Sequence, residues 1–191
     1  MTILSPRDVH YSYDEYTRLE DESQTRHEYI AGEICAMAGG TPDHGALAAI
    51  VIELLGPQLP RGCRTFTSDV RVRIPALDVS TYPDVSVACG AKRAADDPIA
   101  ITNPVLLVEV TSNSTETYDR NTKLDYYRTI ASLSEVVIAS HREPRLTVYR
   151  RDASGAWVVE EARSGESVRL ESIGGSLSVD DVYRDPLEDL R

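Results

Sequence analysis

Two carboxylates stand in segments of the sequence that are otherwise mostly apolar. Glu109 lies within residues 105–111, and Asp84 directly follows Tyr82 and Pro83. An unpaired buried carboxylate costs several kcal/mol, so each must meet a cation, a hydrogen-bond donor or a metal ion. Two carboxylates on neighbouring strands also repel each other unless positive charge lies between them. A divalent cation such as Mg²⁺ or Mn²⁺ meets both conditions, because it takes one or two carboxylates and leaves other positions to water and phosphate.

Lys123 is the candidate cationic side chain beside these carboxylates. It lies in the helix predicted after Glu109, from which it could orient an attacking water or stabilise charge that builds on a phosphate. We expect Asp84 and Glu109 to hold the metal, with the backbone carbonyl of Val110 as a further oxygen ligand. Taken alone, Asp84 also fits a turn, and Lys123 also fits an exposed ion pair with Asp119, four residues earlier.

A weaker set of polar residues could complete the site, and its members also have structural interpretations. A histidine at a helix start often caps the helix, and a carboxylate on an amphipathic helix is usually solvated. Charges that share one strand face can form a salt-bridge ladder instead of binding phosphate. The candidates are His44, Glu33, Glu53 and Asp69 as accessory groups, and Arg71 and Arg73 as phosphate contacts.

The first half of the chain is predicted to supply two helices, a hairpin and a strand. A short helix is expected over residues 13–20 and a hairpin over residues 27–38. Thr41 is the expected N-cap of a second helix, which ends at Gly56. Alternation of apolar and polar residues then predicts one continuous strand over residues 64–74.

The second half is predicted to complete a mixed sheet of the α/β (α+β) class. Layer rules place the two core helices on opposite faces of this sheet. A single domain is expected over residues 1–191, with a core at about 41–140 in the order helix, three strands, helix, strand. The expected elements are strands at 82–88, 105–111 and 135–139, a helix at 113–130 begun by Asn113 and Glu116, a hairpin at 145–151 and 156–161, and a short helix capped by Ser178 and Asp181.

Charge and cysteine content limit the class of protein. The formal net charge of −11 is evidence against a non-specific nucleic-acid binder, although it does not describe a local site. Cys35, Cys63 and Cys89 are odd in number, widely spaced and without a Cys-x-x-Cys pair, which argues against a disulfide framework and a zinc ribbon. No stretch is long and apolar enough to span a bilayer. We therefore expect a cytoplasmic protein without a membrane segment.

The chain resembles the PD-(D/E)XK, or restriction endonuclease-like, superfamily, and more closely the Uma family of bacterial endonucleases. In this comparison Pro83-Asp84 and Glu109 match the signature, while Thr111 stands where the signature has a lysine. Lys123 would supply the lysine from the helix. The matching stretches span nearly the whole chain, at residues 26–34, 37–44, 68–72, 82–87, 108–112 and 118–127.

This resemblance implies a metal-dependent endonuclease that hydrolyses DNA phosphodiester bonds. It also implies a homodimer, with the C-terminal hairpin or the N-terminal segment as the expected interface. The alternative is a non-catalytic nuclease-like module that binds DNA or protein, which Thr111 and the acidic net charge favour. Cleavage of RNA is a third possibility, but the sequence has no aromatic stacking cluster to support it.

Overall fold

The computed structural model describes residues 10–37, 39–112 and 118–184. The strands in these ranges are β1 (His27–Ile30), β2 (Glu33–Ala36), β3 (Cys63–Thr67), β4 (Arg71–Ile74), β5 (Val79–Thr81), β6 (Val85–Cys89), β7 (Ala100–Ile101), β8 (Leu106–Val110), β9 (Glu135–Ala139), β10 (Arg145–Arg151), β11 (Trp157–Arg163), β12 (Ser167–Leu170) and β13 (Gly175–Ser178).

The helices are α1 (Tyr13–Glu22), α2 (Pro42–Leu55), α3 (Leu124–Arg128) and α4 (Val179–Val182). A π-helical turn at Asp119–Lys123 leads directly into α3. Asn113 and Glu116, the predicted start of this helix, lie outside the described residues. None of the helices in the described ranges combines the length and the apolar character needed to cross a membrane.

The strands form two larger sheets and one small one. A six-stranded sheet has the order β11-β10-β9-β8-β6-β3, in which only the β8–β9 pair is parallel. A five-stranded sheet has the order β2-β1-β5-β4-β7, and β12 pairs with β13. The expected helix, three strands, helix, strand order is confirmed by α2, β3, β6, β8, α3 and β9. The C-terminal hairpin β10–β11 extends this same sheet.

Both faces of the six-stranded sheet are covered. Alternation along β8 places Val108 and Val110 in a core with α2, and Leu107 in a second core with α3. The second core also contains Val72 of β4, so the five-stranded sheet packs on the α3 side. The prediction that the two core helices lie on opposite faces is therefore confirmed.

Local sequence explains how α2 begins and how the β1–β2 hairpin turns. The Thr41 hydroxyl accepts a hydrogen bond from the His44 backbone N–H at 3.2 Å and so caps α2. The β1–β2 hairpin turns at Ala31 and Gly32, whose φ angles are 46° and 97°. Positive φ at both central residues is the pattern of a type I′ hairpin turn, which a glycine adopts at little cost.

The prediction of one continuous strand over residues 64–74 is wrong. The chain turns at Ser68–Val70, where the Val70 N–H donates to the Thr67 carbonyl at 3.1 Å and the Asp69 N–H donates to the Thr67 hydroxyl at 3.3 Å. The segment therefore divides into β3 and β4, which belong to different sheets. Alternation happens to continue in phase across the turn, so the pattern alone did not reveal the break.

The sequence argument against a disulfide framework missed one disulfide. Cys63 and Cys89 are directly opposite each other in the antiparallel β3–β6 pair and form a disulfide. They are 26 residues apart in sequence, so the topology brings together two cysteines whose spacing showed no motif. Cys35 is the free cysteine. The cysteine-based argument for a cytoplasmic location therefore loses its basis.

We predict that Glu135→Ala lowers the free energy of unfolding by about 3–5 kcal/mol, measured by urea denaturation. The Glu135 carboxylate is fully buried, and it accepts hydrogen bonds from Arg150 at 2.8 Å and from the Ser172 backbone N–H at 2.9 Å. Glu160 contacts the same arginine but its side chain is 46% exposed. As the matched control, Glu160→Ala should cost less than about 1 kcal/mol. Equal losses in the two variants would contradict this account.

Candidate active site

A cavity of about 730 Å³ lies where the first turn of α2 meets the ends of β1, β6 and β8. Lys123, the last residue of the π-helical turn that precedes α3, also lines it. All three residues predicted to be catalytic line it. The lining residues with charged or ionisable side chains are Arg26, Glu28, Cys35, His44, Tyr82, Asp84, Glu109, Tyr118 and Lys123.

Asp84 is held at the start of β6 by two contacts. Its Oδ2 accepts a hydrogen bond from the Val110 backbone N–H at 2.7 Å and lies 3.2 Å from Nε2 of His44. In the β6–β8 register Val85 lies opposite Val108, which places Pro83 opposite Val110. Proline has no N–H to donate to the Val110 carbonyl. The Val110 carbonyl, which is the predicted oxygen ligand, therefore accepts no ladder hydrogen bond from Pro83.

Glu109 points toward α3 from the middle of the sheet. Its Oε1 lies 3.0 Å from Nζ of Lys123 and accepts a hydrogen bond from the Tyr127 hydroxyl. Burial, and after it the Glu109 charge, raises the pKa of Tyr127 well above its ordinary value. The phenol therefore stays protonated and acts as a donor, which fixes the orientation of the carboxylate.

Lys123 and Tyr127 reach the same carboxylate because they are four residues apart in a helical segment. This spacing places them one turn apart on one face. Thr111 occupies the position where the signature has a lysine, and its hydroxyl contacts Nδ1 of His141 at 2.8 Å. The ammonium group beside Glu109 comes from Lys123, on the helical segment that follows β8.

Glu28 is a member of the site that the sequence analysis did not identify. One of its oxygens lies 3.1 Å from Nζ of Lys123 and accepts a bond from the Tyr82 backbone N–H at 3.3 Å. The other oxygen accepts a hydrogen bond from the Tyr118 hydroxyl at 3.1 Å. Burial, and after it the charge of Glu28, raises the pKa of Tyr118. The available signal was the alternation of β1, which places Glu28 on the same face as Ile30.

Three of the accessory carboxylates lie apart from this cavity. Glu33 and Glu53 are exposed, and Glu53 forms an ion pair with Arg184 at 2.6 Å. Asp69 forms an ion pair with Arg26 beside the turn that separates β3 from β4. None of the three lines the cavity, whereas His44 does. Of the four accessory candidates, His44 is therefore the one that the fold brings beside Asp84.

Arg71 and Arg73 of β4 do not line the cavity either. Arg71 is buried, with Nε 2.8 Å from Asp97. Arg73 contacts Asp78 at 2.7 Å, and its guanidinium lies 3.6 Å from the centre of the Tyr13 ring. This placement gives both arginines structural ion pairs rather than the phosphate contacts expected of them.

The side chains present fit a single hard divalent cation. Asp84, Glu109 and the Val110 carbonyl offer oxygen donors, which Mg²⁺ and Mn²⁺ favour. In the described part of the chain, the carboxylates that line this cavity are Asp84, Glu109 and Glu28, and a divalent ion would reduce their mutual repulsion. Within residues 10–37, 39–112 and 118–184, no three His, Cys, Asp or Glu side chains form a preassembled metal site. Mg²⁺ does not need one, because it usually keeps several water ligands.

Fold and site together define the restriction endonuclease-like class. The structure resembles the crystal structure of "a putative nuclease belonging to DUF820" from Anabaena variabilis ATCC 29413, with a TM-score of 0.69, 22% identity, and coverage of 90% of this chain and 96% of that one. This likeness concerns the fold. The chain belongs to the Uma2 family, described as "Putative restriction endonuclease", whose model matches residues 13–180.

Two relatives come from Synechocystis sp. (strain ATCC 27184 / PCC 6803 / Kazusa). "Uncharacterized protein slr1290" is 33% identical over 174 residues, which cover 91% of each chain. "Uncharacterized protein sll1609" is 32% identical over 159 residues, covering 82% of this chain and 89% of that protein. Their names state no activity, so the chemistry of this site follows from its own residues.

We predict that Lys123→Met lowers the free energy of unfolding of the metal-free protein by about 3–5 kcal/mol, because it leaves the buried Glu28 and Glu109 carboxylates without their shared cation. The sequence contains only one other lysine, the exposed Lys92. Lys92→Met should change stability by less than about 0.5 kcal/mol. Urea denaturation with EDTA present measures both. Similar values for the two variants would show that the ammonium does not hold the site together.

Proposed function

We propose that this protein is a metal-dependent endonuclease that hydrolyses phosphodiester bonds in DNA. The observation that carries the proposal is the ammonium of Lys123, 3.0 Å from Glu109 although no lysine follows at position 111. The site thus contains the carboxylates and the lysine that phosphodiester hydrolysis uses in the superfamily that the chain resembles. Mg²⁺ or Mn²⁺ is the proposed ion, held by Asp84, Glu109 and the Val110 carbonyl.

The roles of the side chains follow from their contacts. When bound, the ion would supply Lewis-acid chemistry at the phosphate. Asp84 is oriented by the Val110 N–H, and Glu109 is oriented by the Tyr127 hydroxyl, so both carboxylates are positioned before substrate arrives. Lys123 offers ammonium donors to the attacking water or to a phosphate oxygen, where negative charge increases in the transition state.

Glu28 is a positioning residue in this proposal. It lies 3.1 Å from the Lys123 ammonium, so the amine is fixed between two carboxylates. A long side chain held in this way loses less conformational entropy when substrate binds. His44, 3.2 Å from Asp84, is the proposed accessory group, either as a contact to phosphate or as an additional ligand.

Two broader parts of the proposal rest on analogy. The homodimer is expected because many nucleases of this class cut two strands as dimers, and analytical ultracentrifugation tests it. The cytoplasmic location is proposed by the same analogy. Neither follows from the geometry of the cavity.

A non-catalytic nuclease-like module that binds DNA or protein is the second candidate. The observation that favours it is Thr111, whose side chain is buried and bonded to His141 in place of the signature lysine. Such a module would bind nucleic acid or a protein partner, and no phosphodiester bond would be cleaved at any metal concentration. Direct assay of cleavage separates the two candidates.

We predict Mg²⁺- or Mn²⁺-dependent cleavage of plasmid or single-stranded DNA that EDTA abolishes. Glu109→Gln and Lys123→Gln should each lower the rate by about 10²–10³-fold, because each removes a group that acts on the reacting phosphate or holds the metal. Glu53→Gln, which neutralises an exposed carboxylate of α2, should retain the wild-type rate. Gel assays measure all four proteins after urea unfolding has shown that each is folded. Cleavage that persists in Glu109→Gln, or in EDTA, would contradict the proposal.

A further inference from the structure

Arg26, the residue before β1, lies on the solvent side of the cavity. The alternate residues Arg26, Glu28 and Ile30 all line the cavity, and the Met37 backbone N–H continues the β1–β2 ladder by donating to the Arg26 carbonyl at 2.9 Å. The side chains of Arg26 and Glu28 therefore leave the same face of the strand, about 6.5 Å apart along it. The Arg26 side chain is 46% exposed and that of Glu28 is 7% exposed, so the guanidinium is the more accessible of the two groups.

Two residues of the turn between β3 and β4 contact this guanidinium. Nη1 of Arg26 donates to the Ser68 hydroxyl at 3.1 Å, and Nη2 forms the ion pair with Asp69. Ser68 lines the cavity, whereas Asp69 does not. The guanidinium carbon also lies 5.9 Å from the centre of the Tyr82 ring, which is part of the cavity lining. Arg26 thus contacts both the lining of the cavity and a carboxylate outside it.

The ion pair between Arg26 and Asp69 is one that a phosphate can replace. The Asp69 side chain is 70% exposed, and ion pairs between exposed side chains contribute little because water solvates both charges well. A phosphate, in contrast, accepts two parallel hydrogen bonds from the planar guanidinium. The Ser68 hydroxyl accepts its bond from Arg26 and keeps its own hydrogen, which it can donate to another phosphate oxygen.

The position of Arg26 suits a phosphate that flanks the scissile one. It precedes by two residues Glu28, whose carboxylate lies 3.1 Å from the Lys123 ammonium. DNA carries a phosphate at every nucleotide, so a strand whose scissile phosphate lies beside Lys123 brings further phosphates to either side of it. Arg71 and Arg73, the residues expected to contact phosphate, do not line the cavity, whereas Arg26 does.

We propose that Arg26 and Ser68 form a second phosphate subsite, which binds a DNA backbone phosphate next to the scissile one, and that Asp69 pairs with Arg26 until this phosphate replaces it. The inference rests on the proposed function, because it names residues that bind the substrate of the same site. Arg26 contacts the substrate away from the reacting atoms, so it contributes to affinity and not to the chemical step.

DNA binding in Ca²⁺ tests the subsite without measuring cleavage, because Ca²⁺ takes the same oxygen ligands as the proposed ions. Fluorescence anisotropy gives the Kd for one labelled oligonucleotide, as a single strand and as a duplex, and the form that binds more tightly is used for the variants. Arg26→Gln should raise the Kd at least about 5-fold. It should also lower the slope of log Kd against log salt concentration by about one, because one phosphate contact is lost.

Arg163→Gln is the matched control for this variant. Arg163 forms a similarly exposed ion pair with Glu143 at 3.2 Å, and neither residue lines the cavity. This control should change the Kd less than about 2-fold and leave the salt slope unchanged. Urea denaturation should give the same unfolding midpoint for Arg26→Gln and Arg163→Gln, so that a difference in DNA affinity is not a difference in folding.

Removal of the competing carboxylate should have the opposite effect on affinity. Asp69→Asn should lower the Kd at least about 3-fold, because the phosphate no longer displaces an ion pair. The same substitution in an Arg26→Gln background should change the Kd less than about 2-fold, since the effect acts through Arg26. Glu143→Gln, the matched loss of one exposed carboxylate, should also change the Kd less than about 2-fold.

Several results would overturn the subsite. These are equal Kd values in Arg26→Gln and Arg163→Gln, a Kd in Asp69→Asn that does not fall, an equal effect of Asp69→Asn in both backgrounds, or no DNA binding by the wild type. The outcome is separate from that of the cleavage assay. Binding that depends on Arg26 without any cleavage would retain the subsite and contradict the nuclease, whereas cleavage with equal Kd values would retain the nuclease alone.

Discussion

The contact on which the site depends is the Lys123 ammonium between two buried carboxylates. Glu28 comes from β1 of the five-stranded sheet, Glu109 from β8 of the six-stranded sheet, and Lys123 from the helical segment that follows β8. Without the ammonium the two buried carboxylates would repel each other. The same contact therefore links the two sheets and brings together the groups that are proposed to act on phosphate.

Neighbouring residues make this arrangement rigid rather than adaptable. The hydroxyls of Tyr118 and Tyr127 donate to Glu28 and Glu109, and burial keeps both phenols protonated. Asp84 is separately fixed by the Val110 N–H on the next strand. Carboxylates held in this way need no rearrangement when substrate binds. Charged groups contribute most to the reaction rate under this condition.

Sequence reasoning predicted the parts of the site that break a local pattern. Glu109 interrupts an apolar strand and Asp84 follows a proline, and Lys123 lies on the next helix, so all three could be identified from neighbours in the chain. Glu28 was not identified, because a glutamate in a short, partly polar hairpin breaks no pattern and the alternation of β1 was the one signal for it. The break in residues 64–74, the Cys63–Cys89 pair and the ion pairs of Arg71 depend on which strands become neighbours, and this is decided by tertiary packing.

The central claim is that Asp84 and Glu109 hold a divalent cation, and calorimetry on the metal-free protein tests it most directly. Mg²⁺ is titrated into the wild type, Asp84→Asn and Asp69→Asn, the last as an exposed carboxylate outside the cavity. We expect about one ion per chain in the wild type and in Asp69→Asn, and an affinity at least about 10-fold weaker in Asp84→Asn. Unchanged Mg²⁺ affinity in Asp84→Asn would contradict the account.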